Sequence, residues 1–277
     1  MSLHPATPSS HPTILELHNS SLPDHIYANF IHPFRHLHPV SFTTHTSLST
    51  SKKFTSPSQN EYNLITTSPS QPQSAKPTAW SFWRRNIGQQ HSSKISTYKT
   101  TASSISDGDS QISSLSSKDD AVKYPSLSAP RQALCNYHTL NDTLKYFSNE
   151  HYYLSHLLVH PDHKRKGYGT LLTLWGLYHA AREGVPVYLT ASIEGERLYK
   201  KLGFRVIGEK TFPSIDEMSD EDRQREEDIL GKEVMEEQFN IVRPKIMVWE
   251  GTIDDDIFKD KDVMEKILAV PCDIRAS

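Results

Sequence analysis

The stretch from His151 to Glu209 is the most regularly patterned part of the chain and reads HYYLSHLLVHPDHKRKGYGTLLTLWGLYHAAREGVPVYLTASIEGERLYKKLGFRVIGE. Short apolar runs rich in β-branched and aromatic residues alternate there with runs whose apolar residues recur every three or four positions. This pattern predicts a β-α-β-α-β order. The predicted strands are Tyr152 to His160, Val185 to Ala191 and Phe204 to Gly208, and the predicted helices are Thr170 to Arg182 and Glu194 to Leu202.

The link between the first strand and the first helix, Lys164 to Thr170 (KRKGYGT), has the properties of a phosphate-binding loop. Its two glycines allow a sharp turn and leave no Cβ in the way of a ligand. The helix that follows presents unpaired N–H groups and a partial positive charge, and the run of three cations adds attraction for a polyanion. Neither the dinucleotide fingerprint, which needs a glycine where Leu172 stands, nor the P-loop motif is met.

Three motifs of this stretch, in this order, resemble the GNAT superfamily of acyl-CoA-dependent N-acyltransferases. They are the strand ending Leu157-Leu158-Val159-His160-Pro161, the loop from Lys164 to Gly169, and Leu198 to Phe204 (LYKKLGF). Lys164 stands where the family usually has Gln or Arg. Leu3 to Ser9 and Trp80 to Arg85 also resemble the first and third strands of fungal members, less specifically. The resemblance implies an α/β domain of the GNAT fold, with a mixed central β-sheet and helices on both faces.

The resemblance also implies that acetyl-CoA is the cosubstrate and that a primary amine is the acceptor. The N–H groups of Arg165 to Thr170 would hold the pyrophosphate, and the main chain of Val159 would pair with the pantetheine arm. The Leu157 N–H would stabilise the tetrahedral oxyanion. The expected cofactor-binding residues are Leu158, Val159, Lys164, Arg165, Lys166, Gly167, Tyr168, Gly169, Thr170, Ser192 and Tyr199, and the expected catalytic residues are Tyr199, Leu157 and Ser155.

Two of these roles have structural alternatives. Tyr199 would protonate the departing thiolate, or its ring would only pack against the sheet. Ser192 would hydrogen-bond the pantetheine, or its hydroxyl would cap the helix that starts near Glu194.

The base that deprotonates the amine is left open by the sequence. Family members often carry Glu where Tyr153 stands. Strand alternation predicts Tyr153, Ser155 and Leu157 on one face and Tyr152, Leu154 and His156 on the other. A water relayed by Ser155 or Tyr153 is one alternative. The others are Glu150, His151 and a cluster of His32, His36 and His38. No metal is expected at that cluster, because it has neither cysteine nor carboxylate partners.

Composition limits the other functional classes. Thirty basic against 33 acidic residues give a net charge of −3, without the basic excess of a nucleic-acid binder. Apolar runs stop well short of the roughly 20 residues of a membrane span. Cys135 and Cys272 are the only cysteines, too few for a disulfide framework. The first ten residues show no secretion signal, so we expect a cytoplasmic protein, although a nuclear location is left open. The sequence also leaves open whether the protein is a monomer or a homodimer.

We predict one domain over residues 1–250 and a C-terminal extension over 251–277. Within the domain, the Ser- and Thr-rich segments 41–76 and 91–128 are interpreted as mobile insertions, and 211–240 as an acidic helical insertion. Histidines at positions 4, 11, 18, 25 and 32 are seven apart, but the prolines between them forbid one helix, so the spacing is interpreted as coincidence. Two functions stay open: an N-acetyltransferase, and a non-catalytic CoA-binding or protein-interaction module.

Overall fold

The computed structural model describes residues 1–55, 60–68, 76–87 and 123–272. Its centre is a seven-stranded sheet in the order β1-β2-β3-β4-β5-β7-β6. The strands are β1 Ser2–Pro5, β2 Glu61–Thr67, β3 Ala79–Asn86, β4 His151–Val159, β5 Val187–Ala191, β6 Arg205–Glu209 and β7 Lys245–Trp249. Only the β4–β5 pair is parallel among these strands. The predicted mixed sheet is confirmed.

Helices cover both faces of this sheet. They are α1 His11–Ser21, α2 Ile26–Ile31, α3 Pro39–Thr55, α4 Ala129–Tyr146, α5 Tyr168–Glu183, α6 Ile193–Lys201, α7 Asp220–Leu230, α8 Lys232–Phe239 and α9 Lys261–Leu268. Helices α5 and α9 bury one face in the largest apolar cluster, together with side chains such as Trp83 and Leu154. Helix α1 and Phe54 of α3 pack on the other face against Trp80 and Phe82.

The elements predicted between residues 151 and 209 are present, with small shifts at their ends. Helix α5 begins at Tyr168 and ends before Gly184, whose φ of 67° gives the predicted left-handed C-cap. Strand β5 begins at Val187 rather than Val185, because the Val185 N–H is already bonded to the Ala180 carbonyl at 3.1 Å in the cap of α5.

The interpretation of 41–76 as a mobile insertion was wrong where the structure describes it, since α3 and β2 lie there. Hydroxyl groups of α3 bond to carbonyls of the preceding turn, Thr46 to Phe42 at 2.8 Å and Ser51 to Ser47 at 2.9 Å. A Ser- and Thr-rich run is therefore compatible with a helix when its hydroxyl groups donate hydrogen bonds to carbonyls of the preceding turn. Residues 56–59 and 69–75 lie outside the described residues.

Two other predicted boundaries, at residues 128 and 250, also differ from the structure. Of segment 91–128, residues 91–122 lie outside the described residues, whereas Tyr124 and Leu127 are buried. Segment 211–240 contains α7 and α8. The extension from 251 onward contains α9, whose Ile267 is buried in the main core, and Trp175 donates to the Val270 carbonyl at 2.7 Å. The core therefore includes residues beyond 250.

Within the described ranges, no helix combines the length and the apolarity needed to cross a bilayer.

Candidate active site

A gap opens in the sheet where β4 and β5 diverge. Their pairing runs only from Tyr152↔Val187 to Leu154↔Leu189, although β4 continues along β3 as far as Val159. Tyr152 and Leu154 are buried, whereas residues 155–159 are half-buried. Among the described strands, none pairs with this edge of β4 beyond Leu154. An extended ligand segment therefore has a free strand edge to pair with.

Ser155 is the extra residue of a β-bulge at the start of this gap. Trp83 of β3 pairs with Leu154 and Phe82 pairs with His156, so Ser155 has no partner of its own on β3. The bulge reverses the alternation that we predicted beyond Ser155. A Cβ on Gly169 would lie 3.7 Å from Leu157 Cδ2, so Leu157 faces α5.

His156 consequently lies on the opposite face of the sheet. Its ring centroid is 5.3 Å from that of Trp80, on the α1 side. The prediction placed His156 with Tyr152 and Leu154, and it was wrong because a bulge depends on the partner strand, which the pattern of β4 alone does not contain.

The loop before α5 presents free backbone donors at the same end of β4. Arg165 has φ 63° and Gly167 has φ 87°, which turns the chain sharply into the helix. Among the described residues, no acceptor bonds to the N–H groups of residues 165–170, and Gly167 as N-cap offers no side-chain oxygen. Such a row of donors at a helix N-terminus suits a diphosphate.

The cations of this loop are exposed. Lys164 Nζ lies 2.9 Å from Glu194 Oε1, and Lys166 Nζ donates to the Asp162 carbonyl at 2.8 Å. Tyr168 differs, because its ring is buried in the main core, so only its backbone faces the loop.

Tyr199 of α6 is buried, with 7% of its surface exposed, and its ring meets Phe204 edge-on at 5.6 Å. Burial, and secondarily the nearby Tyr153 phenol, raise the pKa of Tyr199, so its hydroxyl stays protonated at neutral pH. No described residue hydrogen-bonds this hydroxyl. Tyr153 reaches across the gap to Thr190, with 3.3 Å between their hydroxyl oxygens. Tyr199, Tyr153 and Thr190 thus lie together beside the gap.

A family model described as an acetyltransferase (GNAT) domain matches residues 135–206, which include β4, the loop, α5 and α6. This match confirms the resemblance of this part of the chain to the GNAT superfamily. An acetyltransferase of Stachybotrys chartarum (strain CBS 109288 / IBT 7711) is 39% identical over 56 residues. These residues are 20% of this chain and 24% of that relative, so the match spans less than a quarter of the relative's length.

A solved structure shows the same fold at low identity. The structure of a histone acetyltransferase HPA2 and related acetyltransferase from Corynebacterium glutamicum ATCC 13032 has a TM-score of 0.50 and 14% identity, covering 92% of this chain and 99% of that one. A mosquito arylalkylamine N-acetyltransferase like 5b gives a TM-score of 0.45 and 13% identity, covering 89% and 98%.

The side chains of two residues expected in the GNAT cofactor site make contacts within the protein itself. The Ser192 hydroxyl accepts a hydrogen bond from the Gly195 N–H at 3.1 Å and so caps α6, the alternative that the sequence left open. The Leu158 side chain packs in the apolar cluster on the α1 side.

A cluster of basic side chains lies behind β4 in this GNAT fold, and sequence reasoning missed it. His156 Nε2 is 3.2 Å from Lys53 Nζ, and the rings of His18 and His25 lie 6.4 and 6.5 Å from the His156 ring. Burial lowers the pKa of His18 to about 4 and that of His156 well below its ordinary value. Burial also lowers the pKa of Lys53 to about 8, with Arg84 as the second cause.

The only hint in the sequence was the seven-residue spacing of the histidines. The spacing does not form one helix, because α1 ends at Ser21, but the turn before α2 brings His18 and His25 together with a ring distance of 6.4 Å.

Three of the bases considered from sequence, Glu150, His151 and His32, have partners of their own. Glu150 pairs with Arg85, Oε2 to Nη2 at 3.0 Å, and His151 Nε2 contacts Asn86 Nδ2 at 2.7 Å at the opposite end of β4. His32 is fully buried between Ser126 and His45. Within the described part of the chain, no three His, Cys, Asp or Glu side chains are grouped as a metal site.

Proposed function

We propose that this protein is an acetyl-CoA-dependent N-acetyltransferase, in which a primary amine attacks the thioester directly. The observation that carries the proposal is the free edge of β4 beyond Leu154 beside the unbonded N–H groups of residues 165–170. The match to the GNAT domain model supports the same assignment.

The loop and the strand edge provide complementary parts of a CoA site. The N–H groups of residues 165–170 hold the pyrophosphate, and Lys164, Arg165 and Lys166 attract it. The main chain of Val159 pairs with the pantetheine arm as an added strand would. Acetyl-CoA supplies the activated acetyl group, and Gly167 and Gly169 keep side chains out of its path.

Backbone and phenol groups then favour the transition state. The Leu157 N–H donates to the oxygen that becomes negative in the tetrahedral intermediate, which stabilises that state more than the ground state. Tyr199 protonates the departing thiolate. Its raised pKa keeps the proton in place, so transfer requires that the sulfur be close to the hydroxyl.

The acceptor is a primary amine of a small molecule or a peptide. Release of CoA is the appropriate measurement, with phenethylamine, spermidine and a lysine-containing peptide as probe amines. We expect turnover with at least one of them, saturable in acetyl-CoA and inhibited by CoA. CoA binding without turnover on any amine would instead indicate the non-catalytic CoA-binding module.

A further inference from the structure

We propose that Lys53, His156 and Ser155 form a proton relay that takes up the proton of the acceptor amine. The inference rests on the proposed acetyltransferase function and supplies the base that the reaction needs.

The relay is a continuous chain of hydrogen-bonding atoms from the gap to a half-buried amine. Ser155 Oγ is 3.1 Å from His156 Nδ1, and His156 Nε2 is 3.2 Å from Lys53 Nζ. Both nitrogens of one imidazole are therefore used. The bulge places Ser155 where β4 leaves β5, while His156 lies on the α1 side of the sheet. The relay consequently runs from the start of the gap to Lys53 on the α1 side of the sheet.

The surroundings favour a neutral Lys53 side chain. Lys53 lies over the Phe82 ring at 5.7 Å, and no described carboxylate forms a salt bridge with it. Glu61, whose charge raises the pKa of Lys53 and so opposes the effect of burial, pairs with Arg84, Oε1 to Nε at 3.5 Å.

The charged and titratable groups around His156 come from each element packed there: Lys53 from α3, His18 from α1, His25 from the turn before α2, and Arg84 from β3. All of these side chains are basic, so their positive charges disfavour protonation of the His156 ring itself. The lowered pKa of Lys53, about 8, leaves a substantial neutral fraction just above neutral pH.

The proton balance fixes the direction of the relay. The amine nitrogen forms a bond to the thioester carbon, and its proton passes to Ser155 Oγ. The Ser155 proton moves to His156 Nδ1, and the His156 Nε2 proton moves to neutral Lys53. The C–S bond then breaks, its electron pair leaves with sulfur, and Tyr199 protonates the thiolate. Before the next turnover Lys53 returns its proton to solvent and Tyr199 regains one from solvent, so no net proton is released.

The relay works only while Lys53 is neutral. A Lys53 ammonium donates to His156 Nε2, so the imidazole carries its proton on Nδ1 and has no site for the Ser155 proton. The proposal therefore predicts that kcat rises with pH through the pKa of Lys53.

Lys53→Arg is the most selective variant, because arginine keeps the positive charge and the donors but does not lose a proton in this range. We expect kcat at pH 8 to fall about 10²-fold, at the low end of general-base effects, and the rise with pH to disappear. Lys52→Arg is the matched control, since Lys52 is the exposed neighbour on α3, and it should behave as wild type.

Ser155→Ala interrupts the other end of the same chain. Because the two groups act in series, the double variant with Lys53→Arg should be no slower than the worse single variant. Multiplied losses would mean that the two residues act separately and would overturn the relay.

A second measurement needs no turnover. Imidazole ¹⁵N NMR of the free protein should show His156 changing from the Nδ1–H to the Nε2–H tautomer with a midpoint near pH 8, the pKa of Lys53. In Lys53→Arg the Nδ1–H tautomer should persist.

The outcomes separate this inference from the proposed function. Active wild type with an unchanged Lys53→Arg variant, or a His156 tautomer that does not respond near pH 8, would overturn the relay alone. Wild type inactive on phenethylamine, spermidine and the lysine peptide would overturn the proposed function and the relay with it. A slowed, pH-independent Lys53→Arg variant together with the tautomer change would support the relay.

Discussion

The indole ring of Trp83 occupies the space that a side chain on Gly176 would fill. A Cβ at Gly176 would lie 2.3 Å from Trp83 Cη2, and Trp83 is fully buried. This contact allows α5 to lie close against β3, and α5 carries the loop of residues 164–170 at its N-terminus.

Gly176→Ala should therefore destabilise the protein despite the better helix propensity of alanine. Overpacking of a core typically costs 1–3 kcal/mol, and we expect a loss of about 2 kcal/mol in urea unfolding. Combining the change with Trp83→Phe should lose less than the sum of the two single changes, because the smaller ring leaves room for the methyl group. Full additivity would show that the two sites are independent.

A buried ion pair joins the acidic segment to the core. Arg131 Nε of α4 lies 2.7 Å from Glu226 Oε2 of α7, and both side chains are at most 5% exposed. Glu226→Ala should lower the free energy of unfolding by about 3–5 kcal/mol, because it leaves a buried guanidinium without its partner.

Glu221→Ala is the control for that change, since Glu221 forms an exposed pair with Arg225. Removing an exposed pair should change stability by less than about 1 kcal/mol. Equal effects of the two variants in chemical denaturation would contradict the structural role of Glu226.

Stability should fall as the solution is acidified. Burial lowers the pKa of folded His18 from its ordinary 6.5 to about 4, so the unfolded chain binds the proton first. The stabilisation is present above pH 6.5 and is lost as pH falls toward 4. His18→Asn should remove up to about 3 kcal/mol of the change in unfolding free energy between pH 7 and pH 4. An unaltered pH profile in the variant would mean that His18 is protonated in the folded protein.

Tyr199→Phe should lower kcat without altering the affinity for acetyl-CoA. The ring and its contact with Phe204 are kept, and only the hydroxyl is removed. We expect a loss of about 10²-fold in single-turnover rate, the lower end of general-acid effects. Tyr178→Phe on α5 is the control and should react like wild type. If the single-turnover rate of Tyr199→Phe equalled that of wild type, the Tyr199 hydroxyl would have no catalytic role and its ring would serve only for packing.

The elements between residues 151 and 209 could be predicted because their periodicity and caps are local. Glycines after the helices and apolar residues at helical or strand spacing are visible in the sequence itself. The same locality explains why the loop of residues 165–170 could be recognised.

The contacts behind β4 could not be predicted in this way. Lys53 and His156 are 103 positions apart and meet only when α3 packs on the sheet. The bulge at Ser155 depends on the register with β3, which no pattern within β4 encodes. Helix α3 was missed because its hydroxyl-rich composition is typical of loops until the hydroxyls bond within the helix.

Calorimetric titration with CoA tests most directly whether the loop before α5 binds the cosubstrate. Gly167 and Gly184 flank α5, and both have positive φ, 87° and 67°, so alanine strains the backbone at either position. Only Gly167 lies in the loop of free N–H groups. We predict that wild type and Gly184→Ala bind one CoA per chain and that Gly167→Ala binds at least tenfold more weakly. Absence of binding by folded wild type at millimolar CoA, or equal affinity of the two variants, would contradict the account.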